Sequence, residues 1–168
     1  MQDHDFFDRG HPVAAFLTFR TYGSWLHGDD RGSVDNLHNA YGTPRIPVNP
    51  ARRGFERQLV HEPILLGPRR RDAMRRAIVA TCDLRGWPLH AFNVRTNHVH
   101  VVLTPDIQAK RAMALIKAKA TAMMRDTGCW SRDDGPWSRG GSARLIWSAY
   151  QLERAVRYVL HQQGPDLD

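Results

Sequence analysis

Cysteine is nearly missing from these 168 residues: Cys82 and Cys129 stand far apart and outside any C-x-x-C spacing, which excludes a disulfide framework and a four-cysteine zinc site. Lysine is scarce as well, three residues against 21 arginines, and Glu153 is the only glutamate after Glu62. No apolar run reaches the roughly 18 residues a membrane span needs. The opening Met1-Gln2-Asp3-His4-Asp5 is acidic where a secretory signal would be basic and then apolar. A cytoplasmic protein with free thiols and no membrane partner is the expectation. With 42% hydrophobic, 24% charged and 9% aromatic residues, the chain has the profile of one globular domain over 1–168.

The formal net charge is +7, and it is unevenly spread: residues 36–157 carry 21 basic and 9 acidic groups, a surplus of 12, while both ends are acidic. Arginine grips phosphate bidentately and stacks on bases, which favours a nucleic-acid partner; a genome bias that writes Arg for Lys, with a solvated basic surface, accounts for the charge equally well.

Val13 to Arg20 reads as a strand, and 22–50, rich in Gly, Asp, Asn and Pro, as a long ordered loop that packs or binds. Pro68 to Arg85 is a helix with Met74, Ile78 and Cys82 as its buried stripe and Gly86 as its stop. Leu89 to Val94 and His98 to Leu103 form a hairpin. Ile107 to Thr127 is the longest helical pattern, with Met113, Ile116, Ala120 and Met123 inward and Lys110, Lys117 and Lys119 off that stripe. Ala143 to Trp147 reads as an edge strand, and 151–163 as a final helix ended by Gly164-Pro165. This order fits an α+β fold, a ferredoxin-like split βαβ sandwich with one antiparallel sheet and helices packed on one face.

Two patterns carry chemistry. In His98-Val99-His100-Val101-Val102-Leu103 the period of 2 sends both imidazoles to one face, about 7 Å apart along the strand, close enough to chelate one metal ion; by itself an H-x-H also arises by chance, where two histidines merely share a half-exposed strand. On the final helix Leu152, Ala155, Val156, Val159 and Leu160 cluster on one side, while Tyr158 falls well off that stripe with Gln162 one turn later beside it. A tyrosine that only packed would lie within the stripe.

With these residues the chain resembles the HUH single-tyrosine transposases of small insertion sequences and the related REP-associated tyrosine transposases. The match rests on His98-Val99-His100 before an apolar strand and on a helical Tyr158 about 60 residues on, with an amide one turn further. The resemblance implies a domain that cuts and rejoins single-stranded DNA, typically with hairpin-forming ends, with Mg²⁺ or Mn²⁺ as the cofactor and no small-molecule cofactor. Carried over, His98 and His100 are metal ligands, Gln162 the third ligand, and Tyr158 the nucleophile that forms a 5′-phosphotyrosine. A homodimer is a further implication. Where REP-associated relatives have Asn-Pro after the tyrosine, this chain has Gln, as insertion-sequence enzymes tend to.

His161 and Gln163 compete with Gln162 for the third-ligand role, and Tyr22, Tyr41 and Tyr150 are weaker nucleophile candidates. Trp25, Trp130 and Trp137 either stack unpaired bases or belong to the core. Arg20, Trp25, Arg95, Lys117, Arg139 and Arg144 are the expected DNA contacts. Two other readings stand beside the transposase: a domesticated protein that binds hairpin or single-stranded DNA without cutting it, and a small zinc hydrolase, for which an acidic ligand beside the histidines is hard to find.

Overall fold

The computed structural model describes residues 11–24 and 62–162; Trp25, Tyr41, Gln163 and nearly all of the 22–50 loop lie outside the described residues. Strand β1 (Ala14–Arg20) is followed by helix α1 (Pro68–Arg85), the hairpin β2 (Leu89–Val94) and β3 (His98–Leu103), helix α2 (Ala109–Asp126), strand β4 (Ser142–Ile146) and helix α3 (Ala149–His161). The sheet order is β2-β3-β1-β4 and every neighbouring pair is antiparallel. Each crossover, β1 to β2 through α1 and β3 to β4 through α2, skips one strand, which is the split βαβ arrangement of an α+β fold.

Alternation sorts each strand's side chains between two faces. Ala15, Leu17 and Phe19 of β1, with Val99, Val101 and Leu103 of β3, pack under α1 and α2 in the larger core, with Met74, Ile78, Met113 and Ile116. The opposite face carries Ala14, Ala91, Val102 and Ile146, with Phe16 packed against them, and it is covered by Ala155 and Val159 of α3. Among the described residues only the two long helices share a face; the third crosses to the other side of the sheet, a correction to the expected one-sided packing.

The helix ends explain the boundaries. Pro68 opens α1 where its missing N–H costs nothing, and Gly86 closes it in the left-handed region at φ 65°. Arg69, Arg70 and Arg71 crowd a first turn that would favour acidic groups, yet Arg69 donates to Thr127 O at 2.7 Å and Arg70 to Cys129 O at 3.0 Å. These arginines thus tie α1 to the carbonyls just past the C-terminal end of α2. Ser148 caps α3, its Oγ accepting from Gln151 N at 3.2 Å. The cap starts the helix two residues earlier than its apolar pattern indicates, so Tyr150 lies within α3 rather than before it.

The polar connector before β4 is fastened by α2. Lys117 Nζ donates to Ser138 O at 3.0 Å and to Gly140 O, and Trp137 Nε1 donates to Thr121 Oγ1 at 3.0 Å. Ser138 N donates to Arg20 O at 2.9 Å, joining the connector to the end of β1. Gly141, at φ 139°, passes so close that a Cβ there would meet Met113 Sδ at 2.6 Å and Thr18 O at 2.8 Å.

Candidate active site

The site lies on the sheet face beneath α3. Across that face the register aligns Asn93, His100, Thr18 and Ser142 in one row, and Arg20 opposite His98 in the next. His98 is half-buried and His100 is 7% exposed. Their ring centroids are 4.9 Å apart with the planes nearly perpendicular. Tyr158 brings its ring to 5.9 Å from His100 and 6.0 Å from Phe16, and Phe16 itself stands 5.4 Å from His100. The three side chains singled out from two separate sequence patterns are thus neighbours.

Helix α3 reaches this position by a rotation that the helical wheel alone did not indicate. Leu160, expected in the buried stripe, is 51% exposed, whereas Tyr158 packs with Phe16, Leu152 and Val156 against the sheet. Asn93 Nδ2 donates to Val159 O at 3.2 Å and pins the helix end above β2. Gln162 is the C-cap residue, its N–H bonded to Tyr158 O at 3.1 Å; it and His161 are exposed at the helix end that carries Tyr158.

Each imidazole is held by its Nδ1. Thr18 Oγ1 lies 2.9 Å from His100 Nδ1, and Asn97 Oδ1 lies 2.7 Å from His98 Nδ1. The turn that carries Asn97 is itself anchored, since Asn97 O accepts from Thr21 N at 3.1 Å, Thr21 Oγ1 at 3.2 Å and Ser24 Oγ at 3.1 Å. Sequence reading missed Phe16, Thr18 and Asn97. The first two share the parity of Arg20 on β1, but which face of β1 meets the histidines depends on a register that no local pattern encodes.

The donor set can be tested against a divalent ion. With nitrogen about 2.1 Å from a metal, the centroid of a ligating imidazole stands roughly 3.2 Å from it, so two such rings at near-tetrahedral or octahedral angles lie about 4.5–5.2 Å apart. The observed 4.9 Å fits. Among the described residues no group of three or more His, Cys, Asp or Glu side chains is placed to hold a metal. Glu153, on the helix that carries Tyr158, is exposed and paired with Arg157 at 2.7 Å.

The expected DNA contacts divide. Arg20 and Arg144 share the histidine face, Arg144 standing opposite Phe16 in the β1–β4 register, and Arg139 is exposed on the connector. Lys117 lies on the other side of the sheet, 5.4 Å from the Phe19 ring, and burial pushes its ammonium down to about 8. Arg95 is 8% exposed, a buried group rather than the surface contact expected of it. Trp130 is buried with Arg70 and Arg132 against its ring, and Trp137 packs edge-on to Phe19 at 5.3 Å, so both belong to the packing.

No protein-family model and no curated protein sequence matches the chain. Among solved structures it is similar to a REP-associated tyrosine transposase bound to a REP hairpin, with TM-score 0.46 and 13% identity, over 87% of this chain and 63% of that one. This chain therefore spans less than two thirds of that neighbour's length. No helix among the described residues is long and apolar enough to cross a membrane.

Proposed function

We propose that the protein is a metal-dependent endonuclease and strand transferase for single-stranded, hairpin-flanked DNA, acting through Tyr158. The observation that carries this reading is the meeting of a half-buried tyrosine with two imidazoles presented side by side from one strand, Tyr158 standing 5.9 Å from His100. A phenol is a poor nucleophile near its usual pKa of about 10, so it needs a polarised phosphate beside it. When bound by His98, His100 and Gln162, Mg²⁺ or Mn²⁺ supplies Lewis-acid polarisation of that phosphate. Tyr158 Oη forms the new bond to phosphorus, the bond to the 3′ oxygen breaks, and the phenolic proton, carried through water, ends on that oxygen, which leaves as a 3′-hydroxyl. The resulting 5′-phosphotyrosine keeps the ester for rejoining to another 3′-hydroxyl. Phe16 holds the tyrosine ring edge-on, and Arg20 and Arg144 offer positive charge to the DNA backbone along the same face.

The direct test is incubation with labelled single-stranded DNA carrying a hairpin, with Mg²⁺ or Mn²⁺, followed by denaturing electrophoresis. A covalent protein–DNA band and a released 3′-hydroxyl fragment are expected. Tight DNA binding without any adduct or cut would replace this reading by that of a non-cleaving binding protein.

A further inference from the structure

We propose that Asn97 and Thr18 are positioning residues for the histidine pair, each holding an imidazole by Nδ1 so that Nε2 is the nitrogen offered to a metal ion. The inference rests on the metal-dependent reading above and adds two residues and an atom assignment to it.

An amide oxygen can only accept, so with Asn97 Oδ1 at 2.7 Å the Nδ1 of His98 carries the proton, and the lone pair of the neutral ring falls on Nε2. Thr18 Oγ1 makes the corresponding contact to His100 at 2.9 Å, from the strand position directly opposite. A hydroxyl can accept as well as donate, and accepting from Nδ1–H gives His100 the same tautomer as His98.

The supports are rigid enough to set orientation. Thr18 is in the middle of β1, bonded on both sides to β3 and β4. Asn97 sits in a three-residue turn, where a side chain would ordinarily be loose. Its carbonyl, however, accepts three bonds from Thr21 and Ser24, and Thr21 is fully buried. The preceding residue is tied as well, Thr96 O accepting from Leu66 N at 2.6 Å. Partners outside the immediate ligand set fix ring orientation and ligand basicity, and their loss typically costs about 10- to 100-fold in metal affinity.

The experiment uses the full chain with ¹⁵N-labelled histidine. In the metal-free protein, above the imidazole pKa, both rings are expected in the Nδ1–H tautomer, and Mn²⁺ titrated calorimetrically is expected to bind. Thr18→Val and Asn97→Ala should each weaken Mn²⁺ binding about tenfold and let the affected ring sample the other tautomer. Thr18→Ser and Asn97→Asp, which keep the oxygen, should restore the tautomer and most of the affinity; thermal unfolding checks that the variants stay folded. An Nε2–H tautomer in the wild type, or Mn²⁺ affinity unmoved in both Thr18→Val and Asn97→Ala, overturns the proposal. A wild type with both rings Nδ1–H that nevertheless binds no Mn²⁺ overturns the metal-dependent reading instead, and the variants' tautomer spectra then decide the positioning role by themselves.

Discussion

Tyr158 packs against the sheet and, in the proposed chemistry, also reacts; a substitution can separate the two. Its ring packs edge-on against Phe16 and beside His100, and this packing needs no hydroxyl. The proposed chemistry needs only the hydroxyl. Tyr158→Phe is therefore expected to keep the fold and to bind single-stranded DNA within about threefold of the wild type, since one lost hydroxyl seldom costs more, while forming no covalent adduct. Filter binding and denaturing gels on the same preparation read the two quantities. An adduct formed by the Phe variant would move the nucleophile elsewhere, with Tyr150, 66% exposed in the first turn of the same helix, as the alternative. The two histidines were legible from the sequence because a strand's period of 2 is a geometric certainty once the strand is granted. Thr18 and Asn97 were not: a cross-strand partner 82 positions away in sequence, and a turn side chain folded back on its neighbour, leave no periodic trace.

Elements were easier to read than their rotations. The bounds of α1, β2 and β3 follow from Pro68, Gly86 and the alternating hydrophobics, and the structure has them where those signals stand. The turn of α3 about its axis depends on what it lies against. Because the sheet offers Phe16, Val102 and Ile146, the helix turns Tyr158 inward and leaves Leu160 to solvent. At the end of that helix, Gln162 and His161 compete as third ligand, and they lie about 100° apart around the axis. If Gln162 serves, Gln162→Ala lowers Mn²⁺ affinity and cleavage while His161→Ala changes neither by more than about twofold; calorimetry on both variants separates them, and the reverse pattern would assign the role to His161.

Lys117 shows the same limit of local pattern on α2. Its position off the apolar stripe suggests a solvent-facing cation, but the carbonyls that receive it belong to Ser138 and Gly140, more than twenty residues on. Lys117→Met removes these bonds and is expected to destabilise the protein by about 1 kcal/mol near neutral pH. The loss should also depend on pH. An ammonium with a folded pKa of about 8 against an ordinary 10.5 holds fewer protons folded than unfolded between those values, so its linkage raises wild-type stability as pH climbs through that window. The gap between wild type and Lys117→Met, measured by denaturant unfolding, should therefore widen from about pH 8 to pH 10. A constant gap would mean that the two carbonyls hold the ammonium at its ordinary value.

Over the whole molecule, the fold uses part of the basic surplus to hold its own elements together. Arg69 and Arg70 are engaged by carbonyls at the end of α2, Arg125 donates to Arg132 O at 3.0 Å, and Arg76, Arg132 and Arg157 pair with nearby carboxylates. Lys117 is spent on the connector. Arg20 and Arg144 share the sheet face with His98, His100 and Tyr158. If that face is the track for a single strand, log affinity for DNA should fall linearly with log salt concentration, and each phosphate neutralised should contribute about 0.7 to the slope. Arg144→Ala should then weaken binding at low salt and make the slope shallower by about 0.7. Arg70→Ala should lower thermal stability and leave the slope alone, because its guanidinium already serves Cys129 O and Leu65 O and lies against Trp130. Fluorescence anisotropy of a labelled single-stranded oligonucleotide over a salt series measures both. A slope that responds to Arg70→Ala and ignores Arg144→Ala would put the DNA on the α1 side of the sheet, away from Tyr158, and the transposase reading would lose its substrate path.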